Sequence, residues 1–110
     1  MVNSIAKGKA GEREFSKFLR DHGYADARRG QQFNGLDGED VVGLRYIHIE
    51  CKRIERLNIQ DALDQSIRDA KENTLPIVAH RKNRGKWMIT MDAGDWLKIY
   101  AAADMEKLNG

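Results

Sequence analysis

The chain has one cysteine, Cys51, and one proline, Pro76, in 110 residues. A single cysteine excludes an internal disulfide and a cysteine-based zinc cluster. With one proline, no low-complexity tract and no internal repeat, nothing in the composition marks a linker. Aromatic residues are scarce, at 7 %. No apolar run approaches the ~20 residues of a membrane span, and the opening MVNSIAKGKAGERE lacks the apolar core of a signal peptide. A cytoplasmic protein with no membrane partner is therefore expected. What is present is 41 % hydrophobic and 33 % charged residues. That is enough apolar surface to offset chain entropy, which excludes simple disorder. At 12.6 kDa the expectation is one domain spanning residues 1–110, able to bury roughly two-thirds of its unfolded surface without a staple.

The net charge is only +2, from 19 Lys+Arg against 17 Asp+Glu, so bulk charge announces no nucleic-acid partner. The distribution says more. Arg81-Lys82-Asn83-Arg84-Gly85-Lys86 carries four positive charges and no negative one, and Arg28-Arg29 and Lys52-Arg53 are smaller basic knots. Such loops on a near-neutral chain suit a phosphate-binding face or, equally, a solvated turn.

Along the chain, a helix is predicted from about Ser4 to His22, stopped by Gly23. Its apolar face carries Phe15, Phe18 and Leu19, and Glu12 falls at the edge of that stripe. Tyr24 to Arg29 reads as a short edge strand, and the glycine-rich stretch Gly30 to Glu39 as a loop. Strands Asp40–Leu44 and Arg45–Arg53 follow, joined by a tight turn near Gly43. Asn58 is a helix cap for a helix to about Asn73 with the stripe Ile59, Ala62/Leu63, Ile67 and Ala70. Leu75–His80 and Lys86–Met91 form a hairpin around the basic turn, and Asp92–Leu108 is mostly helix, capped by Asp92 or Asp95. The order is α-β-β-β-α-β-β-α, an α/β fold with a mixed five-stranded sheet flanked by helices.

The chemistry centres on Glu50-Cys51-Lys52. On a strand, Glu50 and Lys52 point to one face, roughly 6.5–7 Å apart along the backbone, while Cys51 points into the core. Asp40 heads the preceding strand, and an antiparallel turn can bring it beside Glu50. Two carboxylates and the Cys51 carbonyl make an oxygen-rich site of the kind Mg²⁺ takes, and a lysine beside it can orient a water and offset transition-state charge. That is the minimum equipment for phosphodiester hydrolysis. The bland alternative is a Glu-Lys ion pair on a solvated sheet face. His48 shares the Glu50 face and reads as a structural histidine. Trp87, Trp96 and Tyr100 read as core or subunit-interface anchors.

These elements come in a specific order: Lys7-Gly8-Lys9-Ala10-Gly11-Glu12-Arg13, the aromatic face Phe15 and Phe18, Gly23-Tyr24, Arg28 or Arg29, Asp40-Val41-Val42, and Ile47-His48-Ile49-Glu50-Cys51-Lys52. In that order the chain resembles the PD-(D/E)XK nuclease superfamily, and within it the archaeal-type Holliday junction resolvases, over about residues 7 to 100. The resemblance implies a restriction-endonuclease-like core and a Mg²⁺-dependent endodeoxyribonuclease, with Mn²⁺ as substitute, acting on four-way or other branched DNA in recombination and repair. It implies Asp40, Glu50, Cys51 and Glu12 around the metal, Lys52 at the water, and Gln65 as a further site residue. It also implies a homodimer, since two symmetric nicks need two sites. Lys9, Arg13, Arg28, Arg29, Arg53, Arg81, Lys82 and Arg84 are the candidate DNA contacts. Glu39 stands where the family has proline, Asp37 competes with Asp40, and Gly30–Gly35 lacks the serine common in resolvases. A nicking or restriction-type nuclease of the same superfamily, and a non-catalytic nucleic-acid-binding domain, are the alternatives.

Overall fold

The computed structural model describes residues 4–30 and 39–109. Asp37 and most of the expected glycine-rich loop lie outside these residues. The elements are α1 (Ser4–Asp21), β1 (Arg28–Arg29), β2 (Val41–Val42), β3 (Ile47–Arg53), α2 (Ile59–Asp69), β4 (Leu75–Arg81), β5 (Met88–Met91), α3 (Ala93–Ala102) and α4 (Met105–Asn109). The five strands form one open mixed sheet in the order β1-β2-β3-β4-β5. Only β3 and β4 run parallel, because α2 is the crossover between them.

Helix α1 forms where the sequence places an apolar stripe. Phe15 and Leu19 are buried, and the Ser16 hydroxyl donates to the Glu12 carbonyl at 2.7 Å. Gly23 ends the helix with φ +98°, and Tyr24 N–H reaches back to the Leu19 carbonyl while Gly23 N–H reaches Arg20. This is a Schellman stop, and the left-handed residue it needs is a glycine. Gly11 does different work. A Cβ there would lie 2.5 Å from the Arg53 Cβ, so the missing side chain lets α1 lie close against β3. The core fills the space between them: Phe15, Leu19, Ala27, Val41, Ile49, Cys51, Ile77 and Ala79.

On the other face of the sheet α2 packs differently from its predicted stripe. Asn58 caps it as expected, accepting the Asp61 N–H at 3.1 Å. The buried residues, however, are Ala62 and Ser66, while Ile67 is exposed. The Ser66 hydroxyl donates to the Ile77 carbonyl at 2.9 Å. Small residues on the contact line let the helix sit low on the sheet, and that hydrogen bond sets its rotation. The helix also stops at Asp69, not near Asn73, with Ala70 already extended.

The strands β1 and β2 are shorter than predicted, and β5 starts at Met88 instead of Lys86. The last helix is interrupted: Ala103 is extended, its N–H bonded to the Tyr100 carbonyl, and a second short helix begins at Met105. Asp92 is the cap, its carboxylate accepting the Asp95 N–H at 3.0 Å. Helix α3 buries none of its residues. Trp96, Leu97, Ile99 and Tyr100 are all exposed, with Trp96 and Tyr100 rings stacked 5.4 Å apart. No described helix is long and apolar enough to cross a membrane.

Candidate active site

The early end of β2 positions the first carboxylate. Val41 pairs with Ile49 in antiparallel register, and one residue earlier the chain bends. There the Asp40 N–H donates to the Ile49 carbonyl at 3.0 Å, and Asp40 Oδ2 accepts the Cys51 N–H at 2.9 Å. The aspartate side chain thus takes a β3 amide that no strand backbone reaches, which locks its orientation at the end of the ladder.

Alternation along β3 turns Ile49, Cys51 and Arg53 toward α1, and His48, Glu50 and Lys52 toward α2. Glu50 is only 3 % exposed, which removes the solvated ion-pair reading. Its carboxyl lies close enough to Asp40 for its charge to act on that side chain. Glu12 approaches from α1, half-buried, with Arg29 Nε 3.3 Å from its Oε2. Burial, the charge of Glu50 and, less strongly, that of Glu12 push the Asp40 carboxyl up to about 7, against the pull of the Cys51 N–H. The Cys51 thiol is also pushed up, first by burial and then by the charges of Asp40 and Glu12. It is an inert packing group at neutral pH.

Lys52 lies beside this pair and not within it. Among the described residues it has no ion-pair partner. It lines a cleft of about 470 Å³ together with Asn58, Gln65 and Arg68 from the start and outer side of α2. Gln65 and Lys52, thirteen residues apart in the chain, therefore open onto one space.

The expected basic residues divide into two groups. Arg29 is engaged by Glu12. Arg53 and Arg81 are both engaged by Glu14, Arg53 Nε lying 3.4 Å from Oε2 and Arg81 bonding Oε1. Arg81 also donates to the Gly85 carbonyl at 2.6 Å, and Arg53 to Asn83 Oδ1 at 2.9 Å. Lys9, Arg13, Arg28, Lys82 and Arg84 are exposed and form no ion pair among the described residues.

One functional feature escapes the linear reading. Glu14, which ties α1 to β3 and β4, had one signal: it lies three residues after Gly11 and four before Phe18, on the helix face that approaches the sheet. His48, which strand alternation places on the Glu50 face, is fully buried beside Glu50.

Among the described residues, no three His, Cys, Asp or Glu side chains stand arranged as a metal cage. The donor chemistry still fits a small hard cation. Two carboxylates held this close repel each other, and a divalent ion would answer that negative charge. Mg²⁺ is commonly held by one or two carboxylates while it keeps several waters, so a full protein cage is not needed. Asp40 and Glu50 are the pair that would hold it. Comparison with protein-family models, with curated proteins and with solved structures finds no match.

Proposed function

We propose that this chain is a metal-dependent DNA endonuclease with a restriction-endonuclease-like core, hydrolysing phosphodiester bonds in branched DNA as Holliday junction resolvases do. The observation that carries the reading is the buried Asp40–Glu50 contact, anchored by the Cys51 N–H and flanked by Glu12. Two buried acids held against each other at the end of a strand ladder lower stability, and such an arrangement is characteristic of a site kept for chemistry.

A bound Mg²⁺, or Mn²⁺ in its place, supplies Lewis-acid polarisation of the phosphate and a more acidic water. The residues supply everything else. Asp40 and Glu50 provide the oxygen donors, with the Cys51 carbonyl as a third. Glu12, restrained by Arg29, keeps the local field negative and favours a cation. Lys52, from the Glu50 face of β3, brings an ammonium to the attacking water and to the charge that develops on the phosphoryl oxygens. Gln65 borders the cleft that Lys52 lines, and would orient the substrate there.

The test is incubation of labelled four-way junction, duplex and single-stranded DNA with Mg²⁺ or with EDTA. Junction cleavage that requires the metal supports the proposal. Binding without cleavage under every metal condition overturns it in favour of a DNA-binding domain.

The exposed cations supply affinity. Replacing Lys82 and Arg84 by alanine should weaken binding to all DNA forms alike. It should also flatten the dependence of log K on log salt by roughly 0.9 per lost phosphate contact. Arg81→Ala should change that slope less, since Glu14 already neutralises the guanidinium. Equal slopes for the parent and the Lys82/Arg84 variant would show the turn to be a solvated loop.

A homodimer built on α3 belongs to the same reading. Ile99 of α3 lines an apolar hollow of about 250 Å³ with Phe15, Phe18, Leu44, Trp87 and Ile89, and Trp96 and Leu97 are exposed on the same helix. Contiguous apolar surface of this kind marks an interface. The parent should sediment as a dimer at micromolar concentration, and Leu97→Glu should sediment as a monomer. A monomeric parent, with and without junction DNA, would refute the interface.

A further inference from the structure

We infer that His48 is a positioning residue for Glu50, its Nε2–H being the donor that holds the Glu50 carboxylate in place for a divalent cation. The inference rests on the proposed reading of Glu50 as a metal ligand. His48 is 0 % exposed, and among the described residues neither Nδ1 nor Nε2 has a hydrogen-bond partner. Buried polar atoms nearly always have one, so an imidazole with both nitrogens unpaired needs an account. Packing does not provide it. A leucine or methionine would fill the space between sheet and α2 with no unpaired atom, as neighbouring core positions do.

The nearest acceptor does provide it. Nε2 lies 3.8 Å from Glu50 Oε1, and both side chains are almost wholly shielded from solvent. Closing that gap by less than an ångström gives an ordinary hydrogen bond, ~2.7–3.2 Å long. Residues two apart on a strand share a face, so only side-chain torsions must move. Glu50 lies close enough to Asp40 for the charge of one to act on the other. A donor from His48 would fix the Glu50 carboxyl torsion. Among the described residues the other carboxylate near His48 is Glu39, directly before Asp40, with Lys71 also in its surroundings. Donors to ligating carboxylates tune metal affinity by ~10–100-fold when removed.

The experiment measures Mn²⁺ binding by titration calorimetry on the full chain: the parent, Glu50→Gln, His48→Met and His48→Gln, each checked for folding by thermal denaturation. Methionine and glutamine have similar length and differ in the N–H. His48→Met should bind Mn²⁺ ~10–100-fold more weakly, and His48→Gln should recover most of that loss. A folded His48→Met that binds like the parent overturns the role, as does an equal loss in both His48 variants. A parent that binds no Mn²⁺, or a Glu50→Gln protein that binds it fully, instead removes Glu50 as a ligand and the inference with it. Should His48→Met not fold, the parent alone decides by nuclear magnetic resonance. The His48 ring N–H signal should move when Mg²⁺ is added, and a signal unmoved at saturating Mg²⁺ overturns the role.

Discussion

Glu50→Gln should leave a folded protein that binds branched DNA and does not cut it. The side chain is buried, and glutamine has nearly the same volume and can hydrogen-bond Asp40, so the fold survives. What is lost is a negative charge at the place where a cation must be held. Removing one preorganised electrostatic group costs roughly two to three orders of magnitude in rate, and loss of a metal ligand should cost at least that. Asp40→Asn should behave alike, with one addition. An asparagine oxygen can still accept the Cys51 N–H, so any structural loss will be small. DNA binding should be unchanged or tighter, because clustered carboxylates repel phosphate. Lys52→Ala should be similarly inactive, but raising Mg²⁺ should not restore it, since the lysine serves the water and not the ion. Glu12→Gln should be milder, because Arg29 already balances part of its charge. Full junction cleavage by purified Glu50→Gln protein would remove the proposed site. A failure of all these variants to fold would show the carboxylates to be structural.

The metal-free protein should become less stable as pH rises through neutrality, the reverse of most carboxylate effects. Asp40 has an ordinary value of 3.8 and is held at about 7 in the fold, chiefly by burial and the charge of Glu50. The folded chain therefore binds this proton more tightly than the unfolded chain does. Its contribution to stability is complete below about pH 4 and is lost progressively as pH rises through about 7. The loss is on the order of 1–4 kcal/mol, visible as a falling denaturation midpoint in urea at constant ionic strength. Asp40→Asn, which carries no such charge, should flatten the decline. Added Mg²⁺ should reverse it, because the ion binds the deprotonated pair and is released on unfolding. A parent whose midpoint rises from pH 5 to pH 8 in EDTA as steeply as that of Asp40→Asn (an interval of about three pH units) would show that the Asp40 proton is not held.

Much of this site could be read before the structure. Alternation of apolar and polar residues on Ile47–Lys52 assigns Glu50 to one face and Cys51 to the other, and Cys51 does join Phe15 and Ile49 in the core while Glu50, also buried, does not. Gly23 marks where α1 stops. Both signals are local, because they depend on residues within a turn or two, and local geometry is what a linear pattern encodes. Asn58 and Asp92 as caps belong to the same class.

The rest depended on distances between segments far apart in the chain. Whether Glu50 is a solvated ion-pair partner or a buried acid depends on α2 lying over it, and α2 sits there on Ala62 and Ser66 rather than on its larger apolar residues. Which arginines are exposed depends on Glu14 reaching Arg53 and Arg81 across 39 and 67 residues of sequence. That His48 has no hydrogen-bond partner among the described residues is visible only once its neighbours on other elements have positions. By itself the sequence determined the order of elements, the strand that carries Glu50 and the carboxylates that could meet. Tertiary packing alone decided that Glu50 lies beside Asp40 away from water, because burial and long-range pairing arise from the closing of the sheet between its helices and not from any local pattern.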